Sequence, residues 1–186
     1  MKNIKEIIRI GFILFAITAI SALLLAYANK TTAPLIAENN QKKTDAAMKV
    51  VFPDGDSFEK LEIEAENVTE AYAAKDSSGN TIGACVVSSD KGYGGEIKII
   101  AGFDKDKKIT GVDILTHSET PGLGANAANP EFKNQFAGKT SPIEAVKGDA
   151  GESQISAMSG ATITSKAVTR AVNSAAAAAD NILKED

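Results

Sequence analysis

The stretch SGATITSKAV, Ser159 to Val168, sets Ser159, Thr162, Thr164 and Ser165 around a Gly160–Ala161 pair at the entrance of a helix-forming run. A helix N-terminus needs one capping hydroxyl, because its first N–H groups lack intrahelical partners. Thr162 or Thr164 would serve. The surplus permits a second use. The same unpaired N–H groups, at the positive end of the helix dipole, suit a phosphate, and Gly160 and Ala161 keep its approach uncrowded. On residue type alone the stretch is either an over-capped helix or a phosphate site, with the phosphate bound freely or joined to a hydroxyl.

Two further loops are rich in glycine and polar groups. In HSETPGLGAN, His117 to Asn126, Pro121-Gly122 suits the centre of a type II turn, whose third residue needs positive φ. Gly124 permits close backbone approach, to something flat or anionic if the loop binds a ligand. Glu119 and Thr120 stand just before the turn with hydrogen-bonding groups to offer. The other reading is a structural loop between strand and helix. In KGYGGEI, Lys91 to Ile97, Gly92, Gly94 and Gly95 bracket Tyr93, as expected of a bulged strand connection. The lone His117 reads as a loop-bracing residue, and the lone Cys85, inside a strand pattern, as a small buried apolar one. One Cys and one His make a structural zinc site improbable and exclude an internal disulfide.

The elements that must carry these loops follow from periodicity. From Val68 the pattern has period two: VTEAYAAKD and TIGACVVSSD flank SSGN, and EIKIIAGFD and ITGVDILTHS flank KDKK, each pair a hairpin signal. NPEFKNQFAG predicts a short helix from Asn129 to Gly138, SPIEAVKG a short strand, and Thr164–Leu183 a long C-terminal helix. Consecutive hairpins followed by helices predict an α+β fold, an antiparallel sheet with helices packed on it.

Ahead of this domain, Ile10 to Ala28 runs without a charged residue. As a helix it spans about 28 Å, close to a bilayer core of about 30 Å. AYA at Ala26–Ala28 resembles a signal-peptide cleavage site, but the run exceeds the usual signal length of about 7–15 residues, so a retained transmembrane helix is expected. Lys2, Lys5 and Arg9 favour a cytoplasmic N-terminus and an external domain. The span offers no ionisable side chain to an ion or proton path. A second helix is expected from Pro34 to about Val51, with Pro34 in its first turn and Pro53 as its stop. The resulting division is 1–9 cytoplasmic, 10–28 transmembrane, 29–57 stalk and 58–186 functional domain. Beyond Ala28 the chain holds 17 Lys and Arg against 23 Asp and Glu. An acidic domain is a poor nucleic-acid binder, since cationic residues dominate that affinity.

Taken together, SGATITSKAV, the ETPGLG loop with the strand–turn–strand before it, and PLIAENNQKK after the N-terminal span resemble the FMN-binding domain family. That family includes the RnfG subunit of the Rnf complex and the NqrC subunit of the sodium-pumping NADH:quinone oxidoreductase. The resemblance covers nearly the whole chain, and its length and single span look more like RnfG. It implies FMN joined through its phosphate to Thr162 within the motif Ser159–Gly160–Ala161–Thr162, with Thr164 or Ser165 helping to cap the helix. It also implies that Glu119, Thr120, Leu123 and Gly124 lie against the flavin. The residue three before Ser159 is Ser156, where the motif generally carries Asp. The implied role is electron transfer within a membrane-bound ferredoxin:NAD oxidoreductase coupled to Na⁺ or H⁺ translocation, with no substrate-activating acid or base. The implied partners are the membrane subunits RnfA, RnfD and RnfE, the peripheral RnfB and RnfC, and the flavin transferase ApbE. Two other readings are an NqrC-like subunit and a membrane-anchored binding domain without redox chemistry.

Overall fold

The structure, a computed structural model, describes residues 2–184. The chain divides into two units, one reaching to Lys42 and one beginning at Lys43. The first is helical from Lys2 onward, and α1, Lys2–Val51, continues from it into the second. The expected break at Pro34 does not occur, and Pro34 lies inside α1. Proline removes one N–H donor from the ladder. Just before it, the Thr31 and Thr32 hydroxyls donate back to the carbonyls of Tyr27 and Ala28 at 3.0 and 2.9 Å. α1 is long and apolar enough to cross a membrane, and none of its apolar stretch is buried in the protein.

The second unit holds a five-stranded antiparallel meander in sequential order. Its strands are β1 (Ser57–Leu61), β2 (Val68–Lys75), β3 (Thr81–Lys91), β4 (Glu96–Asp104) and β5 (Ile109–Thr116). The two expected hairpins are present as β2–β3 and β4–β5. β1 is an addition to the expected strands; its five residues are mostly polar and exposed, as befits a sheet edge. A 3-10 turn (Gly124–Ala128) and α2 (Pro130–Lys133) follow. α2 is shorter than the Asn129–Gly138 helix expected; Asn129 occupies its N-cap position, and Gly138 takes φ +77° in a later turn. A parallel pair, β6 (Glu144–Val146) and β7 (Gln154–Ser156), then leads to α3 (Thr162–Ile182).

The sheet is covered on both faces, so its central strands read as nearly continuous apolar runs. In β3, Ala84 and Val86 face one core with Ile97, Ile99 and Phe103 of β4 and Val168, Ala171, Val172 and Ala175 of α3. Cys85 and Val87 face the other, with Met48, Val51 and Phe52 from the end of α1 and the residue after it. The last turns of α1 therefore pack within the second compact unit, which begins at Lys43. Within the alanine run of α3, Ala175, Ala176, Ala178 and Ala179 are buried and Ala177 is exposed; the small buried side chains let the helix sit close to the sheet. The buried Ser88 hydroxyl pins it by donating to the Ala171 carbonyl at 2.8 Å.

Candidate functional site

The three glycine-rich loops, far apart in sequence, meet at one end of the sheet. The β3–β4 connection brings Tyr93 and Gly94, the segment after β5 brings Glu119 to Gly124, and the entrance of α3 brings Ser159 to Thr164. Glu119 is buried, 6% exposed, and joins all three. Its Oε1 accepts from the Gly94 N–H at 2.8 Å, and its Oε2 accepts from the Thr164 hydroxyl at 2.5 Å. Its own N–H donates to His117 Nδ1 at 3.2 Å, which gives His117 the bracing role expected of it. A Cβ on Gly124 would lie 2.4 Å from Glu119 Oε2 and 2.7 Å from Thr164 Oγ1. One on Gly94 would lie 2.2 Å from the Ser118 carbonyl oxygen. Glycine is required at both places by the closeness of the protein itself.

The loops enclose a cleft of about 760 Å³. All eight residues singled out in the sequence line it: Glu119, Thr120, Leu123, Gly124, Ser159, Gly160, Ala161 and Thr162. Two turns shape it. The Leu123 N–H donates to the Thr120 carbonyl, and the Ala161 N–H to the Met158 carbonyl. Their third residues, Gly122 and Gly160, take φ +76° and +72°, which side chains disfavour.

The hydroxyls at the entrance divide differently from expectation. α3 starts at Thr162, not Thr164, and its N-cap is Ala161, with no side chain capping it. Thr164 turns inward to Glu119. Ser165, also buried, donates to the Ala161 carbonyl at 3.0 Å and accepts from the Met158 N–H at 3.0 Å. Neither is a helix cap, because each is spent on holding the loop. Among the described residues, Thr162 Oγ1 has no hydrogen-bond partner, and neither do the N–H groups of Thr162, Ile163 and Thr164. The half-buried Thr162 hydroxyl therefore faces the cleft uncommitted, beside a positive helix end.

Sequence reasoning does not mark Lys147, Gly148, Ala157, Met158 or Ile163, which also line the cleft. Among the described residues Lys147 is the one cation lining it, delivered by the turn after β6. Only tertiary approach puts it there; nothing in SPIEAVKG distinguishes it from a surface lysine. Tyr93 stands at the cleft as well, 74% exposed. Outside α1, the exposed large apolar side chains among the described residues are Tyr93, Leu123 and Ile163, and all three line the cleft. Scattered exposed apolar residues carry no meaning, but a group at a single cleft does. Among the described residues no group of three or more His, Cys, Asp or Glu is placed to hold a metal ion.

Residues 92–177 match the FMN-binding domain and residues 1–51 the RnfG N-terminal region. The chain is 36% identical, over 97% of its length and 95% of the relative's, to the RnfG subunit of the Na⁺-translocating ferredoxin:NAD⁺ oxidoreductase complex of Acetobacterium woodii. It is also 36% identical, over 84% and 82% of the two chains, to the corresponding subunit of the proton-translocating complex of Clostridium ljungdahlii. Among solved structures, NqrC of Shewanella oneidensis aligns with a TM-score of 0.56 at 27% identity, covering 63% of this chain and 61% of that one. Its counterpart in the Na⁺-translocating NADH-quinone reductase of Parabacteroides distasonis aligns at 0.53 and 28% identity, covering 63% of each. The chain thus spans less than two thirds of either solved protein but nearly all of the Acetobacterium relative. Matched in both its N-terminal and its flavin-binding regions, the chain belongs to the RnfG family of ion-translocating oxidoreductase subunits, with FMN as its cofactor.

Proposed function

We propose that this chain is the electron-carrying subunit of a membrane-bound ferredoxin:NAD⁺ oxidoreductase that translocates Na⁺ or H⁺, and that its FMN is joined through the phosphate to Thr162. The observation that carries the attachment is the division of hydroxyls. Thr164 and Ser165 are consumed by internal bonds, while Thr162 Oγ1 is free at the cleft.

The residues present fit the group. The cleft lies within the range of about 300–1,000 Å³ usual for ligand sites. Tyr93, Leu123 and Ile163 offer apolar surface to a flat ring, and the loop Glu119–Gly124 forms an adjoining wall. The unpaired N–H groups of α3 and the cation of Lys147 suit the charge of a phosphodiester. Bound there, FMN supplies redox chemistry that passes electrons singly or in pairs. The protein's own residues position the group and limit its exposure to water. On this reading none of them is needed as an acid or base toward a substrate. A covalent bond keeps the cofactor on a domain that stands outside the cytoplasm, where a freely bound one would be diluted away.

The topology proposed is a short cytoplasmic N-terminus, residues 1–9, a span from 10 to 28, and the FMN-binding domain of 58–186 with its preceding helical stalk on the extracytoplasmic side. Lys2, Lys5 and Arg9 support that orientation. The span carries no ionisable residue, so the ion crosses through other subunits, such as the membrane proteins RnfA, RnfD and RnfE. ApbE is the proposed flavin transferase. Intact-mass measurement of the chain produced with its transferase tests the attachment. The wild type should carry one FMN and Thr162→Ala none, with circular dichroism unchanged. A Thr162→Ala chain that keeps the adduct refutes it. The NqrC-like reading draws on the two solved neighbours. An iron–sulfur subunit purifying with this chain favours the ferredoxin-linked complex over it.

A further inference from the structure

β7 has a strand on one side only, since β6 and β7 form a two-stranded sheet. In this parallel pair Ser156 stands opposite Val146, whose carbonyl accepts from the Ala157 N–H at 2.7 Å. A strand residue directs its own N–H and C=O to the side opposite its neighbours'. Those of Ser156 therefore face the open edge of β7. One side chain meets both. The Ser156 N–H donates to Gln135 Oε1 at 2.7 Å, and Gln135 Nε2 donates to the Ser156 carbonyl at 3.4 Å. A primary amide presents donor and acceptor side by side, as a peptide unit does. Gln135, just beyond α2, stands in for the missing strand. The Ser156 hydroxyl then donates to the Gly148 carbonyl at 2.8 Å, drawing the Lys147–Gly148 turn onto the same residue.

This junction is where the chain enters the attachment loop. Downstream, the N–H groups of Met158 and Ala161 are held by Ser165 Oγ and the Met158 carbonyl. Exposed Ser159 and Gly160 form the tip. With both ends of the loop fixed, Thr162 has one position relative to Lys147 and Gly148. Releasing Ser156 would free the entry and the Lys147–Gly148 turn together.

We propose that Gln135 is the positioning residue of the flavin-attachment loop, holding Ser156 so that the Thr162 hydroxyl is presented to the incoming phosphate. The proposal rests on the Thr162 reading above. In the step concerned, Thr162 Oγ gives its proton to the transferase or solvent and forms the O–P bond. The pyrophosphate bond of a flavin dinucleotide donor breaks, and its adenylate leaves. No electron changes hands. Gln135 touches none of the reacting atoms and acts through Ser156.

The test uses the full chain produced in membranes with the flavin transferase. Covalent loading is followed by intact mass over time after induction, and the melting temperature is measured on unloaded chain. Gln135→Met keeps the size of the side chain and loses both bonds. Loading should slow about tenfold or more, the scale on which small misplacements act. Gln135→Glu keeps the 2.7 Å acceptor bond and should restore loading to within about twofold of wild type, a 2.7 Å bond being far stronger than one at 3.4 Å. Should Gln135→Met fail to accumulate, Gln135→Asn, which keeps the amide but shortens its reach, carries the same expectation. Loading of Gln135→Met at the wild-type rate overturns the proposal. So does loading that falls only in step with melting temperature in all variants, which marks Gln135 as a fold brace alone. A wild-type chain with no adduct overturns the Thr162 reading first, and this proposal with it.

Discussion

Removing the Thr164 hydroxyl should loosen the whole site, because Thr164 is one of the two donors that, among the described residues, serve a buried carboxyl group joining three loops. Thr164 is 1% exposed and Glu119 6% exposed, so water is poorly placed to replace the lost donor. Thr164→Val keeps the shape and deletes the 2.5 Å bond to Glu119 Oε2. Glu119 then retains only the Gly94 N–H. Hydrogen bonds to charged groups contribute about 1.5–3 kcal/mol, and an acceptor left buried and unpaired forfeits that amount. For a domain of this size 1 kcal/mol shifts the melting temperature by about 4 °C, so Thr164→Val should melt about 6–12 °C below wild type. Thr164→Ser restores the hydroxyl and should recover most of the loss. The assay is thermal unfolding of the full chain in detergent, followed by circular dichroism. The reasoning is refuted if Thr164→Val melts within about 1 °C of wild type, or if Thr164→Ser falls as far as Thr164→Val, which would assign the effect to the methyl group.

Gly124→Ala would push a Cβ to 2.4 Å from Glu119 Oε2 and should also break this junction. Its cost should be smaller by about 0.5–3 kcal/mol in the Thr164→Val background, since the two share one interaction, and a urea double-mutant cycle reads that coupling. Burial pushes the Cys85 thiol up to about 12 from 9.0. The unfolded chain therefore loses its thiol proton above pH 9 while the folded chain keeps it, and stability falls with rising pH by up to about 1.4 kcal/mol per unit in that window. The stability advantage of wild type over Cys85→Ala should accordingly shrink by about 2 kcal/mol between pH 8 and 10.5 in urea titrations, and a pH-independent difference would contradict it. Replacing Ile10–Ala28 by an unrelated apolar helix should leave FMN attachment intact while weakening assembly with the other subunits, as judged by loading and co-purification. Loss of attachment in a folded chain would give the span a further role.

How much of this can be read from the sequence depends on whether the signal is local. The strand-length, β-branched runs from Val68 to Thr116, with the polar turns SSGN and KDKK between them, specify β2 to β5, although with both faces covered the burial along β3 and β4 is nearly continuous rather than alternating. β1 escapes because Ser57–Leu61 is a polar edge whose strand character comes from pairing with β2. α3 begins two residues earlier than its hydroxyls suggest. Hydroxyls near a helix start point to caps, whereas Thr164 and Ser165 bond elsewhere and the backbone turns helical at Thr162 without them. The glycines stand out as unusual in the sequence, but the reason at Gly124 is not legible there. The close neighbours are Glu119 and Thr164, reached across separations that no local pattern encodes. The same holds for Lys147 and Gln135, ordinary residues in ordinary stretches until β6, β7 and α2 are packed together.

The central claim is tested most directly by locating the flavin on the chain. Trypsin should release Gly148–Lys166 as one peptide, which contains Ser153, Ser156, Ser159, Thr162, Thr164 and Ser165. Fragmentation of that peptide from chain produced with its transferase should put the whole FMN phosphoester mass on Thr162 and none on the other five hydroxyls. An unmodified peptide, or an adduct on Ser159 or Thr164, would contradict the account.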